Sequence, residues 1–260
     1  MARSAGNVAI GTINPTTINP YIKLSVVTPT SSYGISHTDG VATLSTFVGA
    51  GNTGVPNGGW IGTVSNHDLR FFTANGPPRL TITTSGNVGI GTTTPEEKLH
   101  VVGKTVTSVL QITGGADFAE NFDVNETTSS EAMTAKVEAG MVVSIDPASP
   151  GKLALSAQAY DRRVAGVVSG AGGVKPGMIM SQEGTLADGK FPVALTGRVY
   201  CWVDAAYGAI KPGDLLTTAP TPGHAMKAVD REKAQGAIIG KAMTGLKEGK
   251  GLVLVLVNLQ

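Results

Sequence analysis

Large apolar residues in this chain alternate with small or polar ones over runs of about four to eight positions, bounded by Gly, Pro and Asn. That pattern predicts short β-strands joined by tight turns. Val8 and Ile10 alternate with Asn7 and Ala9, and Val88 and Ile90 with Asn87 and Gly89, so each run offers one apolar face. Between these runs STFVGAGN, GGWIGTVSNHDLRFFTANG and PRLTITTSG read as further strands, which supply Phe47, Trp60, Ile61, Leu69, Phe71, Leu80 and Ile82. Two or three large side chains per strand are thin material for an independent core, and burial between identical subunits would supply what one chain lacks.

Two kinds of repeat stand out. Gly6 to Pro15 reads GNVAIGTINP and Gly86 to Pro95 reads GNVGIGTTTP, and each is followed by a strand-like segment, IKLSVV from Ile22 and EKLHVV from Glu97. The glycines suit places where another backbone approaches closely, as in a thin interwoven shaft. In the second half EAGMVVS, KPGMIMS, KPGDLLT and KEGKGLVLVLV align on Gly140, Gly177, Gly213 and Gly249, at spacings of 37, 36 and 36 residues. Pro-Gly ahead of an apolar run suits a type II turn that launches a strand. Second strands precede most of these turns, at VAGVVS from Val164, VALTGRVYCWV from Val193 and GAIIGKAM from Gly236.

The expected fold is therefore all-β: an elongated, intertwined β region over residues 1–104 with two GNVxIGT units, a polar and acidic junction over 105–135, and a β-barrel or pseudo-repeat β-sandwich over 136–260 built of about eight to twelve short strands. Gly114 and Gly115 mark the hinge, and residues 126–135 read as a short helix or an ordered loop.

Composition sharpens this. The chain has 35 glycines and 14 prolines, 5% aromatic and 15% charged residues, against about 25% charged in an average soluble domain. The net charge of +1, spread without basic runs, carries no footprint for nucleic acid or an anionic membrane. Cys201 is the single cysteine, which excludes an intrachain disulfide and a cysteine-based zinc cluster. The amino terminus, MARSAGNVAIG, lacks the apolar stretch of a signal peptide or membrane span. A chain made in the cytoplasm and released by lysis or a dedicated machine, such as a component of a virion or extracellular particle, is the expectation.

Candidate chemistry is sparse, and no enzyme and no cofactor are expected. His37, His67, His100 and His224 have no i, i+4 partner, so a metal site within one subunit lacks support. His100, opposite in facing to Leu99 and Val101, is the position that could form a metal ring about a threefold axis. Asp117, Glu120 and Asp123 could supply the paired carboxylates of glycoside hydrolysis, but read better as charge in a solvated junction. Residues 169–173, SGAGG, lack a following P-loop lysine and read as a wide turn. Cys201, between Tyr200 and Trp202, reads as a packed strand residue. Exposed aromatics are the better lead: Tyr33, Trp60, Phe71 and Tyr207 lie near Gly-rich turns, where a ring can stack on a sugar, with Asn57, Asn66 and Asp68 placed to bond hydroxyls. Trp60, within GGWIG, reads better as a core residue than as a ligand contact.

The unit GNVGIGTTTPEEKLHV, preceded by GGWIGTVSNHDLRFFTANGPPRLTITTS, resembles the repeat of phage tail-fibre proteins of the "tail fiber domain-containing" kind, over about residues 32–102. The stretch GGADFAENFDV from Gly114 is similar to the opening of the phage neck-appendage type of intramolecular chaperone; the serine–aspartate and lysine signature of the commoner self-cleaving type is absent. The resemblance implies a homotrimer with a fibrous amino-terminal part and a carboxy-terminal β-domain that caps or nucleates it. Its partners would be its own copies, other particle proteins and a host surface glycan or protein receptor, without nucleic acid or membrane insertion. A self-assembling filament or surface adhesin is the alternative, and a glycan-cleaving spike or self-cleaving chaperone the third reading.

Overall fold

Residues 2–4, 7–10, 24–26, 32–49, 57–126 and 136–259 are described by the computed structural model, with 45% strand and 5% helix: the protein is all-β. Backbone contacts divide it into two units, Met1–Ser108 and Val109–Gln260. The helix or ordered loop expected over 126–135 falls, past Glu126, outside the described residues.

The first unit contains β1 (Ala2–Ser4), β2 (Asn7–Ile10), β3 (Leu24–Val26), β4 (Ser32–Thr38), β5 (Thr43–Gly49), β6 (Gly58–Thr63), β7 (Leu69–Phe72), β8 (Pro78–Ile82), β9 (Val88–Ile90) and β10 (Leu99–Val101). They form three sheets, β1-β2-β3, β4-β5-β6 and β7-β8-β9-β10. The two GNVxIGT units fold alike. β2 runs antiparallel to β1 and parallel to β3, with Val8 opposite Leu24 and Ile10 opposite Val26. In the second copy of the motif β9 runs antiparallel to β8 and parallel to β10, with Val88 opposite Leu99 and Ile90 opposite Val101. The motif is thus a strand paired antiparallel with the strand before it and parallel with the strand after it. The return over β9 is tight: a Cβ on Gly89 would stand 2.5 Å from the Thr92 carbonyl oxygen.

Register sorts the four-stranded sheet into two unlike faces. Leu69, Ile82, Val88 and Leu99 form one cross-strand row and Phe71, Leu80, Ile90 and Val101 the next, on the same face. The opposite face carries Arg70, Thr81, Gly89 and His100.

The second unit holds β11 (Asp117–Phe122), β12 (Val124–Asn125), β13 (Val142–Ile145), β14 (Leu153–Leu155), β15 (Val164–Val168), β16 (Met178–Met180), β17 (Phe191–Asp204), β18 (Leu215–Thr218), β19 (Ala225–Lys227), α1 (Arg231–Ala234), β20 (Ile238–Ala242) and β21 (Lys250–Asn258). The pairings β17-β19-β18-β20-β21 return to β17 and close a five-stranded barrel. Its interior is filled by apolar side chains, most of them β-branched, among them Val199, Cys201, Val203, Leu216, Ile239, Val253, Val255 and Val257. β21 shows why: Val253, Val255 and Val257 are buried while Leu256 between them is exposed, the alternation that a closed barrel imposes.

A second circuit of pairings shares β17. β11 and β12 are separated by one residue, and β17-β15-β13-β14-β12 leads back through β11 to β17, around a separate apolar cluster of Val124, Val137, Val143, Leu153, Leu155, Val168 and Val193. The two circuits repeat each other. β13 and β15 slip register between Val143 and Ser144, and β18 and β20 slip between Leu216 and Thr217, 73 residues later. Gly140 N–H donates to Val168 O (2.7 Å) as Gly213 N–H does to Ala242 O (2.8 Å). Gly166 and Gly240 sit opposite the two bulges, and a Cβ on either would strike a backbone carbonyl of the next strand, Ala194 O or Leu256 O. The structural repeat is therefore about twice the 36-residue spacing seen in the sequence.

Gly140, after Ala139, and Gly213, after Pro212, each occupy positive φ, +90° and +92°, in a turn closed by Met141 N–H to Glu138 O and by Asp214 N–H to Lys211 O, the place a type II turn gives to glycine. Gly177 departs from this pattern. Its N–H donates to Asp117 O (2.9 Å), so it serves strand pairing with β11. The segment read as a solvated junction is likewise different: β11 runs through it, and Ala119 and Asp117 are buried. Polar composition hid this strand because Asp117 is an unusual core residue.

Candidate functional site

The β4-β5-β6 sheet brings two of the expected ligand residues together around a third ring. Tyr33 on β4 stands opposite Phe47 on β5, and Phe47 opposite Trp60 on β6. The Tyr33 and Phe47 rings meet edge to face with centroids 5.6 Å apart, a favourable aromatic geometry. Tyr33 is 56% exposed and Trp60 45% exposed, so Trp60 is not a core residue of this chain. The next row on that face is small and polar, with Ser36 and Ser45 hydroxyls 2.9 Å apart and Gly62 opposite Ser45. A Cβ on Gly62 would have no neighbour within 4 Å, so the surface beside the rings is open. Flat exposed rings are suited to stack on the apolar face of an extended polar ligand, such as a glycan; the Ser45 hydroxyl beside them is buried and bonded to Ser36. Phe47 was legible as an apolar strand residue; only the cross-strand register reveals it as the middle ring.

The other expected residues lie elsewhere. Asp68 accepts from Arg70 Nη2 (2.8 Å) and from Thr84 N–H (3.1 Å), which ties the turn before β7 to the end of β8. Asn66 is exposed in that turn. Phe71 belongs to the apolar face of the β7–β10 sheet, and Tyr207, 42% exposed, belongs to the second unit. His100 faces away from Leu99 and Val101, beside Gly89; among the described residues no cluster of His, Cys, Asp or Glu could hold a metal ion.

The three acidic residues do not converge. Asp117 is buried, Glu120 is half-buried at the opposite phase of β11, and Asp123 pairs with Lys152 at 3.4 Å. Residues 171–173 form a 3-10 turn, and a Cβ on Gly172 would collide with the Tyr200 ring. Cys201 is fully buried in the barrel, and burial pushes its thiol up to about 12. Iodoacetamide is expected to leave Cys201 unlabelled in the native protein and to label it fully in denaturant; rapid native labelling would contradict this packing.

No helix among the described residues is long and apolar enough to cross a membrane. No protein-family model matches the sequence, and no curated protein matches it.

Proposed function

We propose that this chain is a structural and adhesive subunit of a phage-type fibre or fibre tip, which associates as a homotrimer. The observation that supports this most is the apolar face of the β7–β10 sheet. Two cross-strand rows place eight apolar side chains there, of which Phe71 (45%), Ile90 (42%) and Leu99 (61%) are substantially exposed in the single chain. Apolar surface gathered on one regular face is stabilised when it is taken out of water, at about 25 cal/mol per Å2. Identical copies in closed symmetry can each offer that face. The Tyr33–Phe47–Trp60 row is the attachment surface in this reading, and the second unit, with its densely packed interior, is the stable domain from which assembly proceeds.

Light scattering coupled to size exclusion tests it. The expected native mass is three times the denatured chain mass. A stable monomer overturns the reading, and a mass that climbs with concentration without levelling replaces it with a head-to-tail filament.

Loss of ligand binding on replacing Trp60 by alanine is the corresponding expectation for attachment. A glycan array probed with wild-type protein and Trp60→Ala is expected to lose signal by about five- to thirtyfold, as removal of a stacking ring costs on the order of 1–2 kcal/mol; equal signals would remove the aromatic row from the attachment surface.

A further inference from the structure

Between β15 and β17 the circuit that contains β11 to β15 carries an excursion that its duplicate, the five-stranded barrel, lacks. Residues 169–190 make this connection, whereas residues 243–249 suffice between β20 and β21. Within the excursion β16 lies along β11 in a three-residue parallel register, Phe118 opposite Met178 and Glu120 opposite Met180. Ala116 N–H donates to Lys175 O (3.2 Å) and Gly177 N–H to Asp117 O (2.9 Å). Among the described residues β16 pairs with nothing else, and its outer surface is exposed, Ile179 at 49%. This is a strap laid across one strand and held by few contacts, the kind of element that opens locally at low cost.

Asp117 lies at the strand position that the strap covers. It is 6% exposed, and neither carboxylate oxygen has a hydrogen-bond partner among the described residues. The Ser169 hydroxyl beside it reaches no good hydrogen-bonding geometry either. The charged groups on the packed elements are Lys175, Glu183, Asp188 and Lys190 on the strap, Arg198 and Asp204 on β17 and Glu120 on β11; Lys175, Glu183, Lys190 and Arg198 are exposed, Asp188 and Glu120 half-buried, and Asp204 is buried at the far end of β17. Burial, not a neighbouring charge, sets its pKa and raises it above the ordinary aspartate value, against a smaller opposing pull from the polar groups nearest to it, the Ser169 hydroxyl and the Gly177 and Asp117 backbone N–H groups. A carboxylate without partners costs far more in such a site than the neutral acid.

We propose that residues 174–190 form a proton-controlled strap, closed over the protonated Asp117 side chain and released from β11 when that carboxyl ionises. The proton leaves to solvent as the strap opens, water then solvates the carboxylate, and the β11 edge is left unpaired. Closed, the strap favours the protonated acid; open, Asp117 titrates as an ordinary aspartate. Opening therefore increases as pH rises from the ordinary aspartate range up to the raised value of the closed state, by a factor of about ten for each unit between the two, and is constant above and below that window. This inference does not rest on the trimer reading.

Hydrogen exchange of the full chain, followed by mass spectrometry from about pH 4 to about pH 8 and corrected for the intrinsic rate, tests it. Peptides over 174–182 are expected to open more at the alkaline end than at the acid end, while β20 peptides do not change in parallel. Asp117→Asn removes the slope and keeps the strap at least as protected as the wild type in acid. Asp188→Asn, which alters a carboxylate on the strap itself, keeps the wild-type slope. A slope retained in Asp117→Asn, or a flat wild-type profile, overturns the proposal. Should Asp117→Asn fail to fold, the wild-type Asp117 side-chain carbon followed by NMR decides: a midpoint at or below the ordinary aspartate value overturns it, and a raised one that tracks strap opening supports it.

Discussion

Gly240→Ala is expected to abolish the cooperative unfolding transition of the second unit or to lower its stability by about 3 kcal/mol or more, the upper end of the cost of overpacking a core. The reason is steric and local. Gly240 sits opposite the β18 bulge, and a methyl group there would overlap the Leu256 carbonyl of β21, a backbone atom that cannot turn aside without opening the barrel. Gly166→Ala meets the Ala194 carbonyl at 2.5 Å in the duplicate circuit, at φ +155°, and is expected to be damaging too. Gly249→Ala is the control. It also has positive φ, +71°, but nothing stands within 4 Å of the added methyl, so only the left-handed backbone is penalised, by about 1 kcal/mol. Thermal or denaturant unfolding followed by circular dichroism separates the three, and similar midpoints for Gly240→Ala and Gly249→Ala would disprove the close approach of β20 and β21.

Placing lysines at Ile90 and Leu99 is expected to convert the proposed trimer to a folded monomer. Both side chains are exposed in the single chain, 42% and 61%, so their replacement touches little within one subunit and should alter its stability by about 0.5 kcal/mol or less each. In an assembly that buries the β7–β10 face, each lysine leaves an unpaired charge in an apolar contact, at a cost of several kcal/mol. Native mass and far-ultraviolet circular dichroism of Ile90→Lys/Leu99→Lys, measured together, give the answer: a mass of one subunit with an unchanged spectrum is expected. A trimer that persists would show that this face is not the subunit contact.

Period-2 alternation made the all-β class legible, and the two GNVxIGT motifs announced a repeated strand arrangement because their register-setting residues, Val and Ile two apart, recur with the same neighbours. The strand-launching glycines at 140 and 213 were readable for a physical reason as well, since they need positive φ. Gly177 broke the series because an identical Pro-Gly pair can serve a strand edge when another backbone, here β11, stands close enough to take its N–H. Asp117 and Ala119 were hidden by composition: a strand whose inward residues are one acid and one alanine carries no apolar signature. The Tyr33–Phe47–Trp60 row escaped because its members lie on three strands whose register depends on turn lengths, and spacing along the chain does not reveal that.

The sharing of β17 by both circuits bears on how this protein comes to be folded. Neither ring can close until β17 is available, and β17 follows β11 to β15 in the chain by a long interval and precedes β18 to β21. The first ring must wait, open-edged, for its last strand, and the same strand then has to receive β21 across Thr196 to Asp204 before the second ring seals. Contacts so distant along the chain make for slow acquisition of structure and prolonged exposure of unpaired edges. Damage to the middle of β17 would consequently be felt at both ends of the unit in a single cooperative event, and the newly made chain is most vulnerable to aggregation, and most in need of a chaperone, in the interval before β21 docks.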